Sequence, residues 1–209
     1  MPRRTDTRRA ILNAAQKLLR TEGEGAVTTR AVTKMVGISQ PAFYGHFDNV
    51  EELVVEVASQ VASEMLALNL EASDWLRRAG PADQHNLAKH FGAILDRAMA
   101  DRGVIEVYIR HRWLDSRVGE FCRGVDHAVE RALVEHITQS SHIEPDSDRV
   151  AAIEQLAHAI VHTVHSGFAL MLDGRMERDR VAELLATQTL GAVAVCLGPM
   201  ALIMGLRGR

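Results

Sequence analysis

Apolar residues recur along the chain at helical spacing, and no stretch shows the alternation of a half-buried strand. The first stripe repeats at intervals of three and four residues, which places its side chains on one face of an α-helix. It consists of Ile11, Ala14, Ala15, Leu18 and Leu19. Thr5 or Asp6 can cap this helix, and Gly23 and Gly25 end it. The pattern as a whole predicts an all-α protein.

Two short helices joined by a glycine turn are predicted next. Thr28 or Thr29 can cap the first, and Gly37 ends it, because glycine readily adopts the positive φ of a helix C-terminus. Its buried side is expected to hold Ala31, Val32, Met35 and Val36. Ser39 can cap the second helix, which we expect to extend over residues 39–47. This arrangement is the helix-turn-helix pattern.

The remainder of the chain also has helical periodicity. The predicted segments are one helix over 49–72, a connection over 73–83, and a helix from Leu87 to Met99 ended near Gly103, followed by a short apolar piece over 104–109. Apolar residues from Val118 to Leu133 mark a further helix, which the polar loop over 140–148 ends, and two long helices follow over 149–172 and 178–197. The turn at 173–175 is so short that the last two helices are expected to be antiparallel neighbours.

Charge is distributed unevenly along the chain. The net charge is −3, but residues 1–50 hold eight basic and four acidic residues, which is +4 and leaves −7 for the rest. A basic module on an acidic body indicates that one end meets a polyanion. Cys122 and Cys196 form no disulfide framework, and no apolar run follows the basic N-terminus as a secretory signal requires. We therefore expect a cytoplasmic protein.

The helix-turn-helix suggests which side chains meet DNA. Phe43 and Phe47 are four residues apart and must face the core, so their neighbours face outward. Gln40 can pair with a base edge, and the helix N-terminus at Thr28 can bind a phosphate. The predicted DNA-binding residues are Thr28, Thr29, Arg30, Gln40, Pro41, Ala42, Tyr44 and His46.

The segment 26–39, together with Phe43-Tyr44-Gly45-His46-Phe47 and Glu51-Glu52-Leu53, resembles the tetracycline-repressor (TetR) family. The resemblance extends over about residues 7–55. It implies an all-helical homodimer with a helix-turn-helix DNA-binding domain at 1–48 and a ligand-binding and dimerisation domain at 49–209. It further implies a repressor that a small-molecule inducer releases from double-stranded operator DNA. Val50, where the family usually has lysine, and Gly45 depart from the family pattern.

Histidines form the sharpest cluster in the C-terminal part. His158, His162 and His165 recur at i, i+4 and i+7 of one helix and could bind Zn²⁺ or Ni²⁺, with Glu154 as an oxygen ligand. The alternative function is thus a metal-responsive regulator or a metal-binding helical bundle. Histidines at this spacing equally suit a dimer seam or a pocket wall, so our leading hypothesis includes neither a metal nor any other cofactor.

Candidate ligand-binding residues are aromatic, because pockets between helices have apolar walls with a few polar groups. They are Phe91, Tyr108, Trp113 and Phe168, for which an ordinary core position is the alternative. We find no enzyme motif in residues 84–209 and predict no catalytic residue.

The C-terminal stretch 184–206 contains no formally charged residue and is long enough to span a bilayer. Threonines, three glycines and Pro199 interrupt it, which favours burial in a dimer interface over a membrane tail. The two last helices are predicted to pair with those of a second copy in a four-helix seam.

Overall fold

The computed structural model describes residues 4–63, 83–141 and 147–197, and all regular structure in these ranges is helical. The helices are α1 (Arg4–Glu22), α2 (Thr29–Val36), α3 (Gln40–Tyr44), α4 (50–63), α5 (Gln84–Ala100), α6 (Arg102–His111), α7 (Arg117–Ser141), α8 (Ser147–Leu172) and α9 (Arg178–Leu197), with a 3₁₀ turn at Glu24–Ala26 after α1. The prediction of an all-α fold with an N-terminal helix-turn-helix is confirmed.

One compact unit comprises residues 1–64 and 99–123. Its described core includes side chains from α1 to α4, from α6 and from the start of α7, together with Phe47 after α3. The side chains at most 2% exposed include Ile11, Leu19, Val32, Phe43, Phe47, Leu53, Val57, Val107 and Cys122. Polar contacts add to this packing, since Gln16 Nε2 donates to Asp101 Oδ1 at 3.0 Å and His111 Nε2 lies 2.8 Å from Glu24 Oε1. These contacts join the two ends of α6 to α1 and to the 3₁₀ turn that precedes α2.

Gly103 explains how α6 comes so close to α1. A Cβ at this position would lie 1.9 Å from the backbone oxygen of Leu19, so only glycine fits the approach. The preceding helix is expected to end near Gly103, and α5 ends at Ala100, with Gly103 in the first turn of α6. The apolar piece predicted at 104–109 is part of α6.

The second compact unit comprises residues 65–98 and 124–209. Helices α8 and α9 pack on each other after a turn in which Gly174 has φ 65°. A Cβ on Gly167 of α8 would lie 2.9 Å from Val181 Cγ1 of α9, which shows how closely the two helices approach. Arg178 joins α9 to α5 by donating from Nε to Asp96 Oδ1 at 2.9 Å.

Several predicted boundaries are adjusted by the structure. Thr5 and Asp6 lie inside α1 instead of capping it, and α8 begins at Ser147, two residues before the predicted start. The end of α7 at Ser141 agrees with the polar loop predicted from residue 140. The range of α9 matches the predicted 178–197. Residues 64–72 of the helix predicted over 49–72, residues 73–82 of the predicted connection and residues 198–206 lie outside the described residues.

Candidate nucleic-acid interface

Side-chain and glycine caps define the two helices of the helix-turn-helix. Thr28 Oγ1 accepts a hydrogen bond from Ala31 N at 3.1 Å and begins α2. Gly37 ends α2 in the left-handed conformation, with φ 76°. Ser39 Oγ accepts from Ala42 N at 3.3 Å and begins α3. These three caps fix the turn between α2 and α3 as the sequence predicts.

Two phenylalanines hold α3 on the core of the unit. Phe43 and Phe47 are 0% and 1% exposed, and their ring centroids are 5.8 Å apart. Tyr44 stands edge-on to Phe43 at 5.4 Å and is 54% exposed. Because Phe43 is anchored, the next side chain on this short helix must project away from the core, which directs Tyr44 to solvent.

The eight predicted DNA-binding residues all reach the surface of the unit. Six are exposed, namely Thr28, Arg30, Gln40, Pro41, Ala42 and Tyr44, and two are half-buried, namely Thr29 and His46. We call these eight residues the recognition set. Their side chains offer base-edge partners, phosphate donors and an apolar contact, which are the groups that read a DNA groove.

The buried side of α2 differs from the prediction at two positions. Met35, expected in the core, is 44% exposed, and Thr33 is buried in its place. Thr33 tolerates burial because its hydroxyl donates to the carbonyl oxygen of Thr29 at 2.8 Å. A threonine in a helix interior indicates burial only weakly in the sequence. The prediction therefore followed the larger apolar residues and placed Met35 in the core.

Arg8 has a structural role that the sequence did not reveal. The sequence places it on the outer face of α1, but its guanidinium pairs with Glu56 of α4. The guanidinium carbon also lies 4.4 Å from the centroid of the Phe47 ring. Arg8 thus joins α1 to α4 next to Phe47. Arg9, Arg30 and Lys34 are exposed cations.

A reciprocal cap begins α4. Asn49 Oδ1 accepts from Glu52 N at 2.8 Å, and Glu52 Oε2 accepts from Asp48 N at 2.6 Å. This is a variant of the capping box, with Asn in the place of Ser or Thr and with the glutamate accepting from the N–H of the residue before the cap. The Asn-x-x-Glu spacing at 49–52 was the sequence signal for it, and the half-buried Val50 follows the cap directly.

Residues 11–57 match the family model of the bacterial regulatory proteins, tetR family. The matched span contains the end of α1 through most of the described α4, and so the whole recognition set. Residues 11–57 are thus similar to the tetR family. The similar segment contains the whole helix-turn-helix, from α2 to α3.

Solved tetR-family structures share the fold over nearly the full chain. A regulator from Streptomyces coelicolor is 16% identical, with a TM-score of 0.71 over 97% of this chain and 87% of that one. A TetR-like regulator from a Rhodococcus species is 18% identical, with a TM-score of 0.62 over 93% and 98%. The TetR family repressor AlkX from a Dietzia species is 16% identical, with a TM-score of 0.57 over 96% and 97%. No curated protein matches the sequence.

The predicted ligand-binding residues divide between the two compact units of the chain. Phe91 and Phe168 are buried in the second unit, at 3% and 6% exposure. Tyr108 is half-buried in the first unit, and Trp113 is 72% exposed there with the Arg112 guanidinium 4.5 Å from its ring centroid. Exposure of this extent places Trp113 on the surface of the unit.

A groove of about 720 Å³ lies elsewhere, between α7 and α8 of the second unit. It is lined by His127, Glu130, Arg131, Val134, Glu135, Glu154, Gln155 and His158. Its walls are mostly charged or histidine side chains, and none of the four predicted ligand-binding residues lines it.

The histidine row of α8 meets two carboxylates of α7. His158 Nδ1 lies 2.8 Å from Glu130 Oε1, and the rings of His158 and His162 are 4.1 Å apart. His165 is buried, with Nε2 3.3 Å from Asp126 Oδ1. The row therefore separates into an open pair beside Glu130 and a buried histidine beside Asp126.

Burial shifts the pKa of two further groups. It raises the pKa of the Cys122 thiol to about 11, so that this thiol is protonated at neutral pH and a poor nucleophile. It lowers the pKa of His90 to about 4, which keeps that imidazole neutral, and His90 Nδ1 has no hydrogen-bond partner among the described residues. Cys122 and Cys196 are both free thiols.

Among the described residues, α9 is long and apolar enough to cross a membrane, judged by length and composition alone. Core helices of water-soluble proteins pass the same test. One side of α9 is buried against the rest of the second unit, where Val181, Ala182, Leu185 and Ala186 are at most 2% exposed.

Proposed function

We propose that the chain is a cytoplasmic, homodimeric repressor that binds double-stranded operator DNA through the recognition set and is released by a small-molecule inducer. The observation that carries this proposal is the outward projection of Gln40 and Tyr44 from a helix whose other side is anchored by Phe43 and Phe47. The fold neighbour AlkX, a repressor by its description, agrees with this sign of regulation. The protein acts without a catalytic residue or a cofactor.

DNA recognition follows from where each side chain stands. α3 enters the major groove, and Gln40 at its start pairs with a base edge. The exposed N-terminus of α2 at Thr28 faces a phosphate, because unpaired backbone N–H groups and the helix dipole favour an anion. Tyr44 contacts a base or a phosphate, and Arg30 contacts a phosphate. Arg30 thereby supplies sequence-independent affinity, and Gln40 supplies selectivity.

Dimerisation is assigned to α8 and α9. The Val195 side chain on α9 is 85% exposed, so no described segment of the chain covers it. Partly exposed apolar residues of the same two helices are Ile160, Val164, Leu184 and Leu197. A second copy related by a two-fold axis would bury this surface in a four-helix seam. The same burial accounts for the apolar character of α9 without a membrane.

The inducer is assigned to the second unit. Phe91 and Phe168 provide buried aromatic surface there, and the neutral imidazole of His90 provides an unpaired polar atom beside Phe91. Apolar walls with one or two polar groups suit a mainly apolar small molecule. Tyr108 and Trp113, the other two predicted ligand-binding residues, belong to the first unit and are not assigned to this site.

Loss of the two outward side chains of α3 tests DNA recognition. Gln40→Ala and Tyr44→Ala should each weaken binding to the correct duplex by about 1–3 kcal/mol, which is roughly 5- to 150-fold in affinity. Fluorescence anisotropy with a duplex from the intergenic region upstream of the gene measures this. Gln139→Ala, the same substitution at an exposed position of α7, is the control and should bind as the wild type does. Unchanged affinity of the double variant would exclude α3 as the recognition helix.

A charge on α9 tests the dimer. Val195→Glu should convert the dimer to monomers, because it buries an unpaired carboxylate in the seam. Light scattering after size-exclusion chromatography gives the mass directly, against 23.0 kDa for one chain. Asn13→Glu adds the same charge to an exposed position of α1 and should remain dimeric. A wild type with the mass of one chain would contradict the proposed assembly.

A further inference from the structure

We propose that Glu130, His158 and His162 form a binding site for a divalent transition-metal ion of the Zn²⁺ or Ni²⁺ class. One donor atom from each residue lies within 4.8 Å of the other two, and no other such group of three is found among the described residues. The proposal goes beyond DNA-binding repression and does not depend on it.

The helical spacing brings the two imidazoles together. His158 and His162 are at i and i+4 of α8, so they share one face of the helix, and their ring centroids are 4.1 Å apart. Two histidines at this spacing form a frequent half-site for zinc on a helix. The pair supplies two nitrogen ligands from a rigid element.

Glu130 supplies the third ligand from α7. Its Oε1 lies 2.8 Å from His158 Nδ1, and its side chain is only 19% exposed. Two ligands that each lie about 2.0–2.1 Å from a tetrahedral ion are about 3.4 Å apart. Admission of an ion therefore requires Glu130 and His158 to separate by about half an ångström, and donors up to 4.8 Å apart to approach by about 1.4 Å. Rotation of the side chains covers both movements.

A further histidine orients the carboxylate. His127 Nδ1 lies 3.4 Å from Glu130 Oε2, the oxygen that does not face His158. A hydrogen bond to the outer oxygen of a ligating carboxylate fixes its orientation toward the metal. His127 and His158 also line the groove between α7 and α8, which gives an ion access from solvent.

The donor set selects the class of metal. Two imidazole nitrogens and one carboxylate oxygen suit Zn²⁺ and Ni²⁺, whereas Mg²⁺ and Ca²⁺ prefer oxygen ligands alone. Three protein ligands leave a position for water or a small anion. The site differs from the row of three histidines suggested by the sequence, because His165 faces Asp126 and Glu130 takes its place.

Metal titration of the full chain tests the site. After treatment with a chelator, isothermal titration with Zn²⁺ alone should show one ion per chain. His162→Ala and Glu130→Gln should lower the affinity more than about 100-fold, and His127→Ala about 10- to 100-fold, as expected for an outer partner of a ligand. His85→Ala, at an exposed position of α5, should leave the affinity unchanged.

Thermal unfolding provides a second readout that separates binding from misfolding. Because the ion joins α7 to α8 only in the folded state, Zn²⁺ should raise the Tm of the wild type and of His85→Ala. His158→Ala should fold with the circular dichroism of the wild type, since its side chain is 63% exposed, but should show no rise in Tm. Less than one ion per chain, or a wild-type affinity in Glu130→Gln or His158→Ala, would overturn the proposal.

Discussion

Phe43→Ala is expected to destabilise the N-terminal unit by about 3–5 kcal/mol, the usual cost of truncating a fully buried phenylalanine. The Phe43 side chain is 0% exposed and contacts the rings of Phe47 and Tyr44, so its removal leaves a cavity under α3. A helix of only five residues has little stability of its own, and α3 should lose its position when this anchor is lost. Urea unfolding followed by circular dichroism measures the loss.

The neighbouring residue provides the control. Tyr44→Ala removes an aromatic ring from the same helix, but the Tyr44 side chain is 54% exposed. Its stability should therefore stay within about 1 kcal/mol of the wild type, the small loss reflecting the edge contact with Phe43. Similar destabilisation by both substitutions would contradict the assignment of Phe43 to the core and Tyr44 to the DNA.

Local features of the helix-turn-helix could be predicted from the sequence. The caps Thr28, Gly37 and Ser39 act through hydrogen bonds or φ values within three or four residues, so the sequence contains all that determines them. The spacing of Phe43 and Phe47, four residues apart, likewise determines within one short segment which neighbouring side chains face outward. These features determine the recognition set, which is why its exposure follows the prediction.

Contacts between segments distant in the chain could not be predicted. The role of Gly103 depends on the backbone of Leu19, and that of Arg8 on Glu56. Periodicity assigns residues to helix faces but does not specify which helices are adjacent. The sequence therefore places Gly103 near the end of a helix. It does not show that the missing side chain of Gly103 allows α6 to pack on α1.

The histidine row shows the same limit in the candidate metal site. Spacing on α8 correctly brings His158 and His162 together, and it places His165 beside them. The position of α7 determines that Glu130 lies beside His158 and His162, and that Asp126 lies beside His165. A ligand set that draws on two helices requires their packing to be known.

Arg30→Ala should change how salt affects DNA binding. Each phosphate neutralised by a cation releases counterions, so affinity falls steeply with salt, by about 10³- to 10⁵-fold between roughly 50 and 200 mM for a protein with about 6–10 phosphate contacts. Arg30 is exposed in the recognition set. Its loss should reduce the slope of log K against log salt by about one for each chain bound to the DNA. Arg180→Ala removes the same charge from α9 and should leave the slope unchanged.

The salt dependence of duplex binding, measured by anisotropy on the wild type, Arg30→Ala and Arg180→Ala, tests most directly whether the basic N-terminal unit holds the DNA. Residues 1–50 carry +4, and the remainder of the chain carries −7. We predict a steep slope in the wild type and Arg180→Ala and a shallower one in Arg30→Ala. A flat slope in the wild type, or an equal reduction by both substitutions, would contradict DNA binding through α2 and α3.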